Sequence, residues 1–139
     1  DLYDDAAHHR IEVKFSRVQK AAETRINQDT LLQCIEEATS EQRLIAFSEW
    51  PTSRFDCNIE QIKRTEFDIL YYGLFFADCV KIFRIDSAAI GPQILYSDKQ
   101  HKGNKGEGQF HINQKRLGFH IDNYLCHTLS YDQLCDLLS

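Results

Sequence analysis

Near the start of the chain Ile11, Val13 and Phe15 alternate with Glu12 and Lys14. A period of two predicts a strand whose apolar face joins the core and whose other face carries the two charges. The apolar pair Leu2-Tyr3 and the polar run from Asp4 to His9 predict a partner strand and a turn, making an opening hairpin. Leu31, Leu32 and Ile35 then share one face of a helix capped by Asn27 or Asp29. Arg43 to Phe47 fits a strand or a helix end, and Pro51 to Arg54 fits a loop. Asn58 with Gln61 resembles a capping box opening a short helix through Lys63.

The most hydrophobic stretch, FDILYYGLFF from Phe67 to Phe76, is separated by only Ala77-Asp78 from CVKIFRID, Cys79 to Asp86. That pattern predicts an antiparallel hairpin whose first strand is central and buried on both faces. Ser87 caps a short helical turn that Gly91-Pro92 ends, and a Gly-rich loop follows. QFHI (Gln109 to Ile112) and LGFHI (Leu117 to Ile121) predict a further hairpin about the turn Asn113 to Arg116, with His111 and His120 alternating on its surface. Ser130 and Gln133 form a capping box, and Leu129 and Leu134 a hydrophobic staple, so SYDQLCDLL predicts a C-terminal helix.

At 139 residues, 42% of them hydrophobic, the chain fits one domain, 1–139, with a substantial core. No apolar run approaches the roughly 20 residues that span a bilayer, so no membrane partner is expected. Five cysteines, odd in number and without a CxxC pair, argue for reduced thiols and a cytoplasmic protein. With no methionine anywhere, Asp1 is not a translated start, and the expectation is a domain lacking upstream residues. The net charge of −5 is unevenly spread: ten of the sixteen Lys and Arg fall within Arg10 to Arg25 and Ser97 to Arg116. A basic face on an acidic body leaves a phosphate-bearing partner open.

Candidate chemistry gathers in the opening hairpin. Asp1 and Glu12, brought together at strand ends, repel unless a cation lies between them, and oxygen ligands of this kind suit Mg2+. Lys14 beside them can orient a metal-bound water and stabilise charge during attack on a phosphodiester. An Asp, a ten-residue gap and Glu-Val-Lys in an apolar strand resemble the core motif of the PD-(D/E)XK nuclease superfamily, which includes many type II restriction endonucleases. The resemblance covers about the first 16 residues. It implies that Asp1, Glu12 and the main chain of Val13 hold the metal, while Lys14 works on the water; Asp4 and Asp5 are alternatives for the motif acid.

The resemblance further implies an α/β fold with a restriction-endonuclease-like mixed central sheet flanked by helices, here with an additional C-terminal hairpin and helix. It implies Mg2+, for which Mn2+ can substitute, double-stranded DNA as substrate, and a homodimer.

The loop SDKQHKGNKGEGQ supplies Lys99, Lys102 and Lys105 for phosphates, and Gln100, His101 and Asn104 for base edges. GNKGEG lacks the GK[ST] of a phosphate-binding loop, so no nucleotide cofactor is expected. Paired zinc-ligand spacings are absent, and no motif surrounds a Cys-His pair. Two rival readings stand beside the restriction enzyme: a repair, recombination or RNA-directed nuclease of the same fold, and an interaction domain whose hairpin charges are merely solvated.

Overall fold

The computed structural model of the chain describes residues 2–21, 25–39, 43–99, 104 and 106–139. In chain order its elements are β1 (Leu2–Asp4), β2 (His9–Arg17), α1 (Leu31–Glu36), β3 (Asp56–Ile62), β4 (Ile69–Phe75), β5 (Val80–Asp86), β6 (Gly108–Asn113), α2 (Gln114–Tyr124), β7 (Leu125–Leu129) and α3 (Tyr131–Leu138). Five strands form one mixed sheet in the order β1-β2-β4-β5-β7, and β3 with β6 forms a separate two-stranded ladder. This is a mixed α/β architecture dominated by strands. No helix among the described residues is long and apolar enough to cross a membrane.

The opening hairpin forms where alternation predicts it, with Leu2 opposite Ile11 and Asp4 opposite His9. Its turn is held by the Asp4 carboxylate, which accepts from the Ala6 and Ala7 amides at 3.0 and 3.1 Å. β2 runs parallel to β4, and β4 and β5 make the expected antiparallel hairpin. β4 is central, and Leu70, Tyr72 and Leu74 on it are fully buried. A fork from Arg10 onto Asp68, 2.9 Å at its ion pair, ties the start of β2 to the chain entering β4.

Parallel pairing needs a crossover. This one contains α1, and there the structure departs from expectation, because Leu31, Leu32 and Ile35 remain exposed. The inner face of the sheet is covered instead by the β3–β6 ladder and α2: Ile59, Ile62, Phe110, Ile112 and Leu117 share the core with Leu70, Tyr72 and Phe83.

Two elements differ from the local patterns. Residues 58–63 are not a capped helix but mostly strand β3, whose Cys57, Ile59 and Ile62 face the core. A register shift between Ile59 and Ile62, with Gln61 at φ 57°, breaks the alternation that would have disclosed it. Leu117 to Ile121 is not a strand but part of α2, capped by Asn113, whose side chain accepts from the Lys115 amide at 3.0 Å. Leu117, His120 and Tyr124 form a helical stripe toward the core, so no C-terminal hairpin exists: β6 joins β3, and β7 joins β5. The α3 capping box is as expected, with Gln133 N to Ser130 Oγ at 3.1 Å and Ser130 N to Gln133 Oε1 at 2.9 Å.

Candidate active site

β2 is oriented the opposite way from a simple amphipathic strand. Val13 and Phe15 are 37% and 52% exposed, whereas the Glu12 and Lys14 side chains are only 16% and 24% exposed. The register explains it: Glu12 stands beside Leu70, Lys14 beside Tyr72 and Ser16 beside Leu74, all on the inner face. Phe15 lies on the outer face over Gly73, where an added Cβ would meet its ring at 2.2 Å. The charged pair thus turns toward the β3–β6 ladder. Lys14 Nζ and Glu12 Oε1 are 2.6 Å apart, a short charge-assisted contact.

Neighbouring donors can be assigned from the backbone. The Arg10 carbonyl accepts from the Asp68 amide and the Val18 amide donates to the Phe75 carbonyl, so even-numbered main-chain groups of β2 point to β4. Successive groups alternate, and the Val13 carbonyl therefore points to the β1 side, past the last described pair, Leu2 with Ile11. Asp4 pairs with His9, which places it on the face opposite Glu12, and its carboxylate is engaged in the turn. Asp5 lies in the turn itself. Asp1 lies outside the described residues.

Among the described residues no three His, Cys, Asp or Glu side chains converge as metal ligands. Glu12 and the Val13 carbonyl are nevertheless hard oxygen donors of the kind Mg2+ accepts, and Mg2+ commonly takes one or two carboxylates and completes its shell with water.

Local patterns left out two residues of this region, Glu107 and Lys63. Glu107 is buried, 6% exposed, directly before β6. Its carboxylate accepts from the Asn104 amide and from Asn104 Nδ2, each at 3.0 Å. Those hydrogen bonds hold its pKa below the usual carboxylate value, and the Lys63 and Lys14 ammonium groups add to the effect. Ile62 pairs with Gly108, so continuing the antiparallel register by one residue sets Lys63 opposite Glu107. No local motif links Lys63 and Glu107, 44 residues apart; only the β3–β6 pairing sets the chain leaving one strand against the chain entering the other.

The proposed recognition loop is closed at its base by reciprocal hydrogen bonds between Ser97 and Gln109, both 2.9 Å. Arg64 lies over the Tyr96 ring at 4.6 Å and reaches Asp98 at 3.3 Å. Lys99 is exposed. Asn104 is exposed too, with its main-chain amide and Nδ2 both donating to Glu107. Gln100, His101, Lys102 and Lys105 lie outside the described residues.

His120, expected on a surface, is fully buried. Its Nδ1 is 2.7 Å from the Tyr72 hydroxyl, its ring stacks on Phe110, and no described residue bonds its Nε2. Burial, with Arg116 nearby, lowers its pKa to about 4. His111 is on β6, 3.7 Å from Asp56.

No protein-family model, no curated protein and no solved structure matches the chain.

Proposed function

We propose that the protein is a metal-dependent endonuclease of the restriction type, with Asp1, Glu12 and Lys14 as its catalytic residues and double-stranded DNA as its substrate. The observation that carries the reading is the inward turn of Glu12 and Lys14. A merely solvated pair would face water and leave Val13 and Phe15 to the core; here the arrangement is reversed. Removing charges from water is costly, so a pair turned inward at the expense of apolar neighbours calls for a reason other than stability. The placement of β2 in a hairpin and parallel to a central strand is a second support, because it directs the Val13 carbonyl away from β4 and toward the β1 side.

In this reading Glu12, the Val13 carbonyl and Asp1 hold Mg2+, and Mn2+ substitutes for it. The cation would supply Lewis acidity and a more acidic water. Glu12 orients Lys14 through their 2.6 Å contact, and the Lys14 ammonium faces the phosphoryl oxygens on which negative charge grows. Lys99 and its loop neighbours Gln100, His101, Lys102, Asn104 and Lys105 contact DNA, with Asn104 requiring release from Glu107 to do so. A homodimer is the expected assembly.

Plasmid nicking tests the proposal. Purified protein should cut mixed-sequence plasmid DNA only with Mg2+ or Mn2+, Glu12→Ala should abolish metal binding by calorimetry, and Lys14→Ala should slow cutting about 10²- to 10³-fold. No metal-dependent cutting by the parent chain would sink the reading. Discrete bands identify a restriction enzyme, whereas structure-dependent or RNA cutting identifies a repair or RNA-directed nuclease. The exposed Val13, Phe15 and half-buried Phe75 on the outer face favour one second reading, an interaction domain, which requires the metal titration to be flat.

A further inference from the structure

We propose that the outer face of the sheet is a docking surface for a second copy of this chain, and that its occupant is helix α1 of that copy, exchanged in both directions about a two-fold axis. The inference gives the homodimer a specific interface and does not rest on the nuclease reading.

Among the described residues two apolar surfaces are left without cover. One is α1, where Leu31, Leu32 and Ile35 form a single stripe and are 47%, 76% and 58% exposed, and no residue of the helix is buried. The other is the β2 side of the outer sheet face. In register across it, Arg17 stands beside Phe75, Phe15 beside Gly73, and Val13 beside Tyr71. Phe15 packs against Phe75 with ring centroids 5.2 Å apart, yet half of it meets water. Alongside them opens a cleft of about 510 Å3 lined by Phe15, Ser16, Arg17, Leu44, Phe75 and Tyr131. α1 lies in the crossover from β2 to β4, the position from which a helix ordinarily covers a sheet. Here it leaves its own sheet bare.

Charge makes the two surfaces complementary. Arg17 borders the Phe15–Phe75 patch, and its guanidinium has no partner among the described residues. Glu36, one turn beyond Leu32, borders the apolar stripe of α1 and is likewise unpaired. Ile26 to Thr39 holds the acids Asp29, Glu36 and Glu37 and no lysine or arginine. An acidic helix with an apolar stripe thus matches an apolar face with a free cation at its border.

Area favours a second copy over a lone helical peptide. A helix of six residues, about 9 Å long, covers too little by itself, since a stable interface buries about 1,200–2,000 Å2. Exchange under two-fold symmetry puts two such contacts into one closed dimer. Glu12 and Lys14 lie on the opposite face of the sheet, which the dimer leaves open.

Sedimentation velocity over a dilution series tests the proposal. The parent chain should dimerise, and Leu32→Glu or Phe15→Thr should weaken the dimer about tenfold or more. Thermal melts verify folding, and Leu32→Glu, in a helix with no buried residue, decides the matter if Phe15→Thr does not fold. Charge reversal is the sharper measurement. Arg17→Glu and Glu36→Arg should each dimerise poorly alone, because like charges then meet at both contacts. An equimolar mixture of the two should recover near-parent affinity, because each contact of the mixed dimer again joins opposite charges.

A parent chain that stays monomeric overturns the proposal; that is the result expected if α1 folds back on its own sheet or if the face takes a partner of other chemistry. A dimer that Leu32→Glu leaves intact, or a mixture no tighter than its components, overturns it too. None of these measurements involves metal or DNA, so their outcome leaves the nuclease reading to its own test.

Discussion

Lys14 and Tyr72 are neighbours in register on the inner face of one sheet, yet their polar partners are held in opposite ways. Lys14 meets Glu12 with roughly a fifth of each side chain in contact with water. Tyr72 meets His120 with both residues fully buried, between stacked Phe83 and Phe110 rings. Access to water separates the two. A pair that keeps some water can remain charged and meet a ligand, while a sealed pair is confined to its neutral form and contributes to the core. The sealed pair should therefore register in stability and the open pair in chemistry.

The largest effect on stability should come from acid. His120 has a pKa of about 4 in the folded protein and about 6.5 when unfolded. Between those values the unfolded chain binds the extra proton, so the contribution of neutral His120 is fully present above pH 6.5 and is lost as pH falls toward 4. The difference corresponds to about 3 kcal/mol, measurable by urea unfolding across that range. His120→Gln should flatten the profile there. Asp68, lowered to about 2 by hydrogen bonds from Arg10, should add a separate loss only below its ordinary 3.8.

Next in size is Tyr72→Phe. Removing the hydroxyl leaves His120 Nδ1 buried without its partner, and such an orphan costs about 1–3 kcal/mol. Urea midpoints at pH 7.5 measure the loss with the imidazole neutral. If the loss is near zero, the Tyr72–His120 contact is not what organises this part of the core.

Parts of this contrast are legible in the chain and parts are not. The β4–β5 hairpin can be read because burial on both faces produces an almost continuous apolar run, and α3 because its capping box is local. Alternation in Ile11 to Phe15 identifies a strand with two faces but not which face turns inward. That choice depends on what covers the sheet, and Phe15 over Gly73 satisfies the outer side while β3 and β6 cover the inner. β3 is disguised by its bulge at Gln61, and α2 by LGFHI, whose short apolar alternation also satisfies a helical stripe through Leu117, His120 and Tyr124. Glu107 and Lys63 are brought toward one another only through the long-range pairing of β3 with β6. Of the residues proposed as the site, Glu12 and Lys14 lie 2.6 Å apart, Asp4 lies on the face opposite Glu12, and Asp1 is outside the described residues.

The smallest effect on stability should come from the open pair, and that is what makes it informative. Glu12→Gln keeps the shape of the side chain and an oxygen that accepts from Lys14 Nζ, but removes the negative charge. A fully buried ion pair broken on one side would lose about 3–5 kcal/mol, whereas exposed pairs are worth about 0–1 kcal/mol. With 16% and 24% of the side chains exposed, the variant should lie near the exposed limit. Urea unfolding should show a change of about 1 kcal/mol or less, while Mg2+ binding and metal-dependent cutting are lost. A large stability loss with cutting intact would reverse the contrast, making Glu12–Lys14 a structural pair and leaving Tyr72–His120 as one of two such pairs on the same face.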